Sequence, residues 1–325
     1  MNHSDWRPTA TLTALQRRAA LLARSREFFA ERGVLEVQTP ALVQTAVTDP
    51  QIESFAVLEG SGARRRYLHT SPEYAMKRLL AAGSGDIYQI CQVFRAGESG
   101  SPVHNAEFTL LEWYRLGFSL QQLMRETAAL ATMLLDPAGS PRPVEYVTYA
   151  EAFRRALRLD PLECSLEALT AAAARHGLAR SSLTSASRDD LLDFLVASQV
   201  GPRLGLAGIT CLHNYPASQA SLAQLDNTDP RTARRFELYV QGIEIANGYV
   251  ELADATEQAA RFEADARERE RRGLVVHGGD RRLLAALQHG LPPCAGVALG
   301  FDRLVMVALG AKRLDAVLTL PADRA

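Results

Sequence analysis

The chain has 325 residues, 47% of them hydrophobic, which is enough for one large domain or two ordinary ones with a proper core. Its 36 Lys plus Arg balance 37 Asp plus Glu, so it lacks the basic excess of a protein that grips many phosphates of a nucleic acid. Cys91, Cys164, Cys211 and Cys294 lie far apart with no C-x-x-C pair, which argues against a disulfide framework or zinc site and for reduced thiols in the cytoplasm. The N-terminal MNHSDWRPTA carries no basic-then-apolar signal, and no apolar run reaches the length of a membrane span. Lys77 and Lys312 are the only lysines, and in so alanine- and arginine-rich a chain that reads as coding bias.

Apolar periodicity predicts a helix across TLTALQRRAALLARSREFFAERG, with Leu15, Leu22 and Phe29 on one face and Gly33 as a left-handed cap. VLEVQTPAL reads as extended chain with Pro40 at an edge or turn. Short strands are expected at 52–58, 65–69 and 87–94, with SPEYAMKRLLAAG between the last two as a helix from near Ser71 to Gly83. GSGD at 83–86 reads as a turn, because a phosphate loop would open a helix and a strand follows here. IYQICQVFR, RAGESGSPVHN and EFTLLEWYR give strand, polar loop, strand. Ser119 and Gln122 form a capping box that opens a helix to about Leu135. Residues 137–205 are helical pieces broken by Pro and Gly, an insertion. Strands resume at GITCLHNY and RFELYVQGIEIANGYVE, a charged helix ATEQAARFEADARERERR ends at Gly273, and CAGVALGFDRLVMVALG passes from strand to helix. Without repeats or linkers, and with strand pairs joined by loops, this order predicts one α+β domain over 1–325 with a mainly antiparallel sheet.

The polar positions of RFELYVQGIEIANGYVE include Glu237, Glu244 and Glu251, for which a half-buried strand has no packing use. A turn at Gln241-Gly242 pairs Val240 with Ile243 and Leu238 with Ile245 on an apolar surface, and Tyr239 with Glu244 and Glu237 with Ala246 on the other. Glu237 and Glu244 then sit diagonally on one face, roughly 7–8 Å apart, and repel unless a cation lies between them. Two readings stand: a solvated strand face, or a Mg²⁺ site shared with nucleotide phosphates. Glu251 follows Asn247-Gly248, where small residues let a ligand approach the backbone, and is either the counter-ion of an amine or a surface acid.

Three further stretches bear on that choice. VFRAGESG…VHNAEFTLLEWY resembles the second signature of class II aminoacyl-tRNA synthetases, GVALGFDRL the third, and GVLEVQTPAL the first, which sits at the dimer interface of those enzymes. TSPEYAMKRLL, HNAEFTLLEWY and GIEIANGYVEL are close to the lysine-type catalytic core. Over essentially the whole chain the resemblance is to truncated lysyl-tRNA synthetase paralogues that modify a translation factor. It implies the class II catalytic core, an α+β fold whose mainly antiparallel sheet is flanked by helices, and a homodimer formed through Gly33–Leu42. It also implies a ligase that spends ATP, with Mg²⁺, to activate (R)-β-lysine as an acyl-adenylate and join it to a lysine ε-amine of elongation factor P.

The roles carried over are as follows. Arg95 holds the α-phosphate and stabilises the transition state, and Arg303 holds the γ-phosphate of a bent ATP beside Ile245 and Gly300. Phe108 stacks on adenine, and Glu98, His104 and Asn105 line the same loop. Glu237 and Glu244 become the Mg²⁺ ligands, Glu244 also facing ATP. Ser71 and Glu73 take the amine nearest the carboxylate, while Glu251 and the Tyr114 hydroxyl take the distal ammonium. The loop departs from the lysine type, which places an arginine near the His-Asn pair and a proline after it; here those places hold Pro102, Val103 and Ala106.

Rival readings are a lysyl-tRNA synthetase activating α-lysine and a non-catalytic synthetase-like binding protein. The first carries an N-terminal anticodon-binding barrel, for which residues 1–32 are too few, so tRNA is not the expected acceptor. The second predicts loss of Arg95, Arg303 or the acid pair, all of which are present. An asparagine-synthetase type would not need the Glu73–Glu251 pair, which suits a diamine. The seven histidines show no ligand spacing.

Overall fold

The computed structural model describes residues 6–60, 64–98, 101–136, 140, 142–183 and 185–325. The first half of the N-terminal stretch read for a targeting signal, residues 99–100 of the polar loop and the start of the insertion at 137–139 lie outside them.

Helix α1 (Leu12–Ala30) starts where the Thr11 hydroxyl accepts a hydrogen bond from the Ala14 amide, and the chain leaves it through Gly33 at φ +65°. Short strands β1 (Leu35–Glu36), β2 (Leu42–Val43), β3 (Ala56–Glu59) and β4 (Arg64–Leu68) follow. The strand expected over 52–58 thus begins only at Ala56, and the residues before it form a loop. Helix α2 (Glu73–Ala81) has no side-chain cap at Pro72; Ser71 Oγ instead accepts from the Glu73 amide. Then come β5 (Ile87–Phe94), β6 (Glu107–Leu116) and α3 (Leu120–Leu135), which opens on the Ser119–Gln122 capping box. The insertion contains β7 (Val144–Thr148) and helices α4 (Tyr149–Leu157), α5 (Leu166–Arg175), α6 (Arg180–Leu183) and α7 (Arg188–Leu195). The chain ends with β8 (Ile209–Pro216), β9 (Thr232–Val240), β10 (Ile243–Val250), α8 (Ala255–Arg271), α9 (Arg281–Gly290), β11 (Cys294–Gly300) and α10 (Phe301–Ala308). Periodicity did not mark α9.

Eight strands form one sheet in the order β1-β5-β6-β11-β10-β9-β8-β7, and β2-β4-β3 form a small second sheet. The six interior strands are antiparallel, as expected, but both edge pairings, β1 with β5 and β7 with β8, are parallel. A parallel pair needs a crossover, and α4 to α7 supply it for β7 and β8. The insertion is therefore not purely helical: the five residues VEYVT stitch it to the sheet, a run too short to stand out among strong helix formers.

Alternation along the strands divides the sheet into two faces. Leu111, Trp113, Phe236, Leu238, Val297 and Leu299 pack on one side against α3 and α10 through Leu123, Leu130, Leu304 and Val305. Their sequence neighbours point to the other side, where α2, α8 and α9 close a separate cluster around Met76, Phe262 and Leu283.

The hairpin of β9 and β10 departs from simple alternation. Gln241 and Gly242 turn with φ +52° and +76°, and Val240 opposes Ile243 and Tyr239 opposes Glu244, as the turn requires. Leu238 then opposes Ala246, and Glu237 opposes Asn247, one residue later than strict pairing predicts. Ile245 is the extra residue of a β-bulge, and it packs into the core beside Ala246. Beyond the bulge the parity of β10 is reversed, so Asn247, Tyr249 and Glu251 join Glu244 on the open face. Gly248 consequently points into the core. A Cβ there would lie 2.7 Å from the Phe236 ring and from Val297 Cβ, and 2.8 Å from the Gly296 carbonyl. Core packing, not ligand approach, is what demands glycine at 248. Gly248→Ala should lower stability by about 1–3 kcal/mol through overpacking. Urea unfolding that matched the parent chain would refute this packing account.

Candidate active site

The open face of the sheet carries a cleft of about 1100 Å³ whose lining includes Ser71, Glu73, Arg95, Glu98, His104, Asn105, Phe108, Tyr114, Glu244, Ile245, Gly300 and Arg303. These come from α2, the β5–β6 pair, β10, β11 and the start of α10, so the second and third signature stretches converge on one place.

At one end, Arg95 leaves β5 with its guanidinium 5.1 Å from the Phe108 ring centroid. It reaches Glu98 at 3.5 Å and the Thr70 carbonyl at 3.4 Å. Both contacts are at the long limit of hydrogen bonding, so a better acceptor can displace them. Arg303, in the first turn of α10, is held more firmly. Its Nε donates to the Val103 carbonyl at 3.2 Å, Nη1 to the Glu244 carbonyl at 3.2 Å, and Nη2 to His104 Nε2 at 2.8 Å. Burial and the charge of Arg303 lower the His104 pKa, keeping its ring neutral. Since a guanidinium only donates, Nε2 accepts and Nδ1 carries the hydrogen, donated to Ser101 Oγ at 2.9 Å.

The atypical loop also does its work through the backbone. The Val103 carbonyl orients Arg303, the Pro102 carbonyl accepts from the Leu314 amide at 2.8 Å, and the Ala106 carbonyl accepts from the Arg95 amide at 2.9 Å. Asn105 spends its side chain on backbone, donating to the Glu107 carbonyl and accepting from the Ala322 amide. Ile245 presents backbone to the cleft, its side chain being in the core. Gly300 has φ −68°, and a Cβ there would meet the Ile245 carbonyl only at 3.7 Å, so neither conformation nor packing demands glycine.

Glu237 and Glu244 face the same side, as the hairpin argument requires. Glu237 is fully engaged: Arg235 Nη2 donates to one oxygen at 2.7 Å and the Tyr239 hydroxyl to the other at 2.6 Å. Glu244 is half-exposed, and among the described residues its carboxylate accepts no hydrogen bond; Arg303 Nη1 lies 3.6 Å away. Partial desolvation in the cleft wall and the charge of Glu237 push its pKa up. A carboxylate repelled by its neighbour and left with unused oxygens is what a hard divalent cation accepts. No cluster of three or more His, Cys, Asp or Glu able to hold a metal alone occurs among the described residues, so phosphate oxygens would have to complete such a site.

The other end of the cleft is acidic, and sequence reading identified only part of it. Glu112, in the middle of β6, is buried and accepts from Ser71 Oγ at 2.7 Å and from the Tyr114 hydroxyl at 2.7 Å. Burial and Glu73 raise its pKa to about 7. Tyr114 is thus committed to Glu112 rather than to Glu251. Glu251 is paired with the Lys77 ammonium at 2.6 Å, which also lies 2.6 Å from Glu73. Its Oε1 has no hydrogen-bond partner among the described residues and would be 2.5 Å from a Cβ at Gly296. The missed residues left faint signals: a glutamate inside the apolar run TLLEWY, and a lysine kept where the chain otherwise uses arginine.

Comparison with known proteins gives the family of the chain. The family described as "tRNA synthetases class II (D, K and N)" matches residues 1–324. The chain is 48% identical to an elongation factor P--(R)-beta-lysine ligase of Yersinia enterocolitica, over 99% of both chains. Proteins of the same name from Salmonella paratyphi B and Proteus mirabilis are 48% and 47% identical, again over 99% of both chains. The chain belongs to the class II tRNA synthetase family of the D, K and N type.

Proposed function

We propose that the chain is an ATP-dependent ligase that activates (R)-β-lysine as an acyl-adenylate and transfers it to the ε-amino group of a lysine of elongation factor P. The observation that carries this reading is a single cleft with two arginines at one end and a pocket of buried carboxylates at the other. The relatives' name supplies the acceptor and the particular amino acid.

In this reaction the substrate carboxylate attacks the α-phosphorus of ATP. A carbon-bound oxygen becomes bonded to phosphorus as the bond to pyrophosphate breaks. Such a step needs in-line positioning and charge stabilisation more than a protein nucleophile. Arg95, loosely held, is suited to follow the α-phosphate into the transition state; Arg303, locked by His104 and two carbonyls, is suited to fix the γ-phosphate. Phe108 offers the adenine a ring, with Glu98 keeping Arg95 oriented when no phosphate is present. Mg²⁺ held by Glu244 and Glu237 would offset phosphate charge. Ser71 and Glu73 line the place for the amine nearest the carboxylate; Glu251 and the Tyr114 hydroxyl, itself held by Glu112, would take the distal ammonium. In the second half-reaction a deprotonated acceptor amine attacks the activated carbonyl, AMP leaves, and an amide remains; an amine is nucleophile enough without a dedicated base.

No helix among the described residues is long and apolar enough to cross a membrane. The homodimer through Gly33–Leu42 would cover Leu35, which is 55% exposed on the edge strand β1.

Arg95→Ala should cut pyrophosphate exchange by about 2–4 kcal/mol of transition-state stabilisation and leave the fold intact. Near-parental exchange would remove Arg95 from this role. Glu244→Gln should raise the Mg²⁺ concentration needed for half-maximal activation and affect amino-acid binding less; normal behaviour at low magnesium would return Glu244 to the solvated-strand reading. The acceptor is tested by incubating the enzyme with ATP, Mg²⁺, (R)-β-lysine or α-lysine, and either elongation factor P or tRNA. Elongation factor P should gain mass as an acid-stable adduct, and efficient charging of tRNA with unmodified elongation factor P would overturn the assignment.

A further inference from the structure

Lys77 lies one helical turn after Glu73 on the inner side of α2, with its side chain 1% exposed. Its ammonium bridges Glu73 on α2 and Glu251 at the end of β10, 2.6 Å from each. An ammonium this deeply buried persists only with compensating charge. Burial works to lower its pKa, but Glu251 and Glu73 more than reverse that, so Lys77 stays charged.

Glu73, Glu112 and Glu251, set against one ammonium, leave two net negative charges when all are ionised. A diamine brings two positive ones. We propose that Lys77 is a positioning residue that fixes the separation of Glu73 and Glu251 and sets the pocket's charge to match a substrate with two ammonium groups. This rests on the amino-acid reading of the pocket given above.

Without Lys77, three carboxylates would share a buried space and keep protons they now lose. Even with it, Glu112 is raised to about 7, and Glu251 is raised by burial against the pull of Lys77. The other titratable groups facing them are Tyr74 on α2, Cys91 on β5, Tyr114 on β6, Tyr249 on β10 and Cys294 on β11. Burial raises the pKa of each, so they stay neutral at neutral pH. An acid with a raised pKa attracts an ammonium only once pH exceeds that value. Diamine binding in the parent should therefore strengthen as pH rises from about 7 to about 8, through the raised values of Glu112 and Glu251, and removal of Lys77 should push that rise to higher pH.

The test measures the KM for (R)-β-lysine and for α-lysine in pyrophosphate exchange from pH 6 to 9. It compares the parent, Lys77→Met, and Lys77→Met combined with Glu251→Gln. Lys77→Met should raise the KM for the diamine about tenfold at pH 7, leave the KM for ATP unchanged, and move the pH midpoint up by about one unit. The double variant again has two net negative charges, so its midpoint should return to the parental value although its KM stays high. A Lys77→Met midpoint equal to the parent's, or a double variant that keeps the shifted midpoint, would overturn the proposal. Lys77→Gln, equally neutral, carries the same expectation if the methionine variant does not fold. A parent inactive with both diamines would refute the reading of the pocket itself, whereas an active parent with an unshifted variant refutes only the role of Lys77.

Discussion

The arrangement of the cleft depends on one extra residue. Glu244 and Glu251 are seven positions apart, and in a regular strand residues an odd number apart point to opposite faces. The bulge at Ile245 reverses the parity midway, so both acids reach the open face while Gly248 and Val250 turn into the core. A bulge leaves its extra residue unpaired and is retained where it re-aims side chains. Here the extra residue is itself apolar and buried, so the ladder is interrupted without leaving a cavity. Tyr249, Asn247 and the bond between Arg235 and Asn247 all take their orientation from the same shift.

Charge is segregated within the cleft, although the chain is nearly neutral overall. Arg95 and Arg303 gather at the end built from the β5–β6 loop and α10, while Glu73 and Glu112 line the end where α2 leans on the sheet, with Glu251 buried against Lys77 beside them. The two ends differ in stiffness as well. The acidic end is buried and internally paired, so its geometry is set before any ligand arrives, which reduces what ordering costs on binding. At the arginine end, only Arg303 is fixed. Arg95 makes long contacts that a phosphate oxygen would outcompete, a difference in keeping with one group that anchors and another that follows a moving charge.

How far the sequence discloses this depends on the range of each cause. Elements set by local signals are legible: the Ser119 cap, the left-handed Gly33, the turn at Gln241-Gly242 and the strand–loop–strand around Arg95 all appear as read. The placing of Glu237 and Glu244 on one face was legible too, because the turn alone fixes the first two pairs. What escaped is set by tertiary contact. The bulge has no local signature in GIEIANG, and the hidden strand β7 exists because β8 offers it an edge. Glu112 and Lys77 are intelligible only together with Ser71, Glu73 and Glu251, which come from separate parts of the chain. Strict alternation places Gly248 on the ligand side, and only the bulge turns it into the core.

The insertion has a part in the site that its composition did not suggest. Along α7, Asp189 accepts from Ser218 Oγ at 2.7 Å and Asp193 from the Gln219 side chain at 2.8 Å, while Asp190 pairs with Arg272 at the end of α8. The loop so gripped presents the Gln219 carbonyl to Arg235 Nη1 at 2.7 Å, and Arg235 Nη2 in turn holds Glu237. A chain of bonds therefore runs from the insertion to one of the two proposed metal ligands. Burial raises the pKa of Asp193 to about 6, against the pull of Arg235, so this brace carries its full charge only above that pH. Arg235 also lies over the Tyr215 ring at 4.4 Å, and Tyr215 packs within the insertion's own apolar cluster. The crossover that completes the parallel edge of the sheet thus also limits the freedom of Glu237. That leaves Glu244, across the hairpin and with no hydrogen bond to its carboxylate among the described residues, as the member of the pair able to adjust to a ligand.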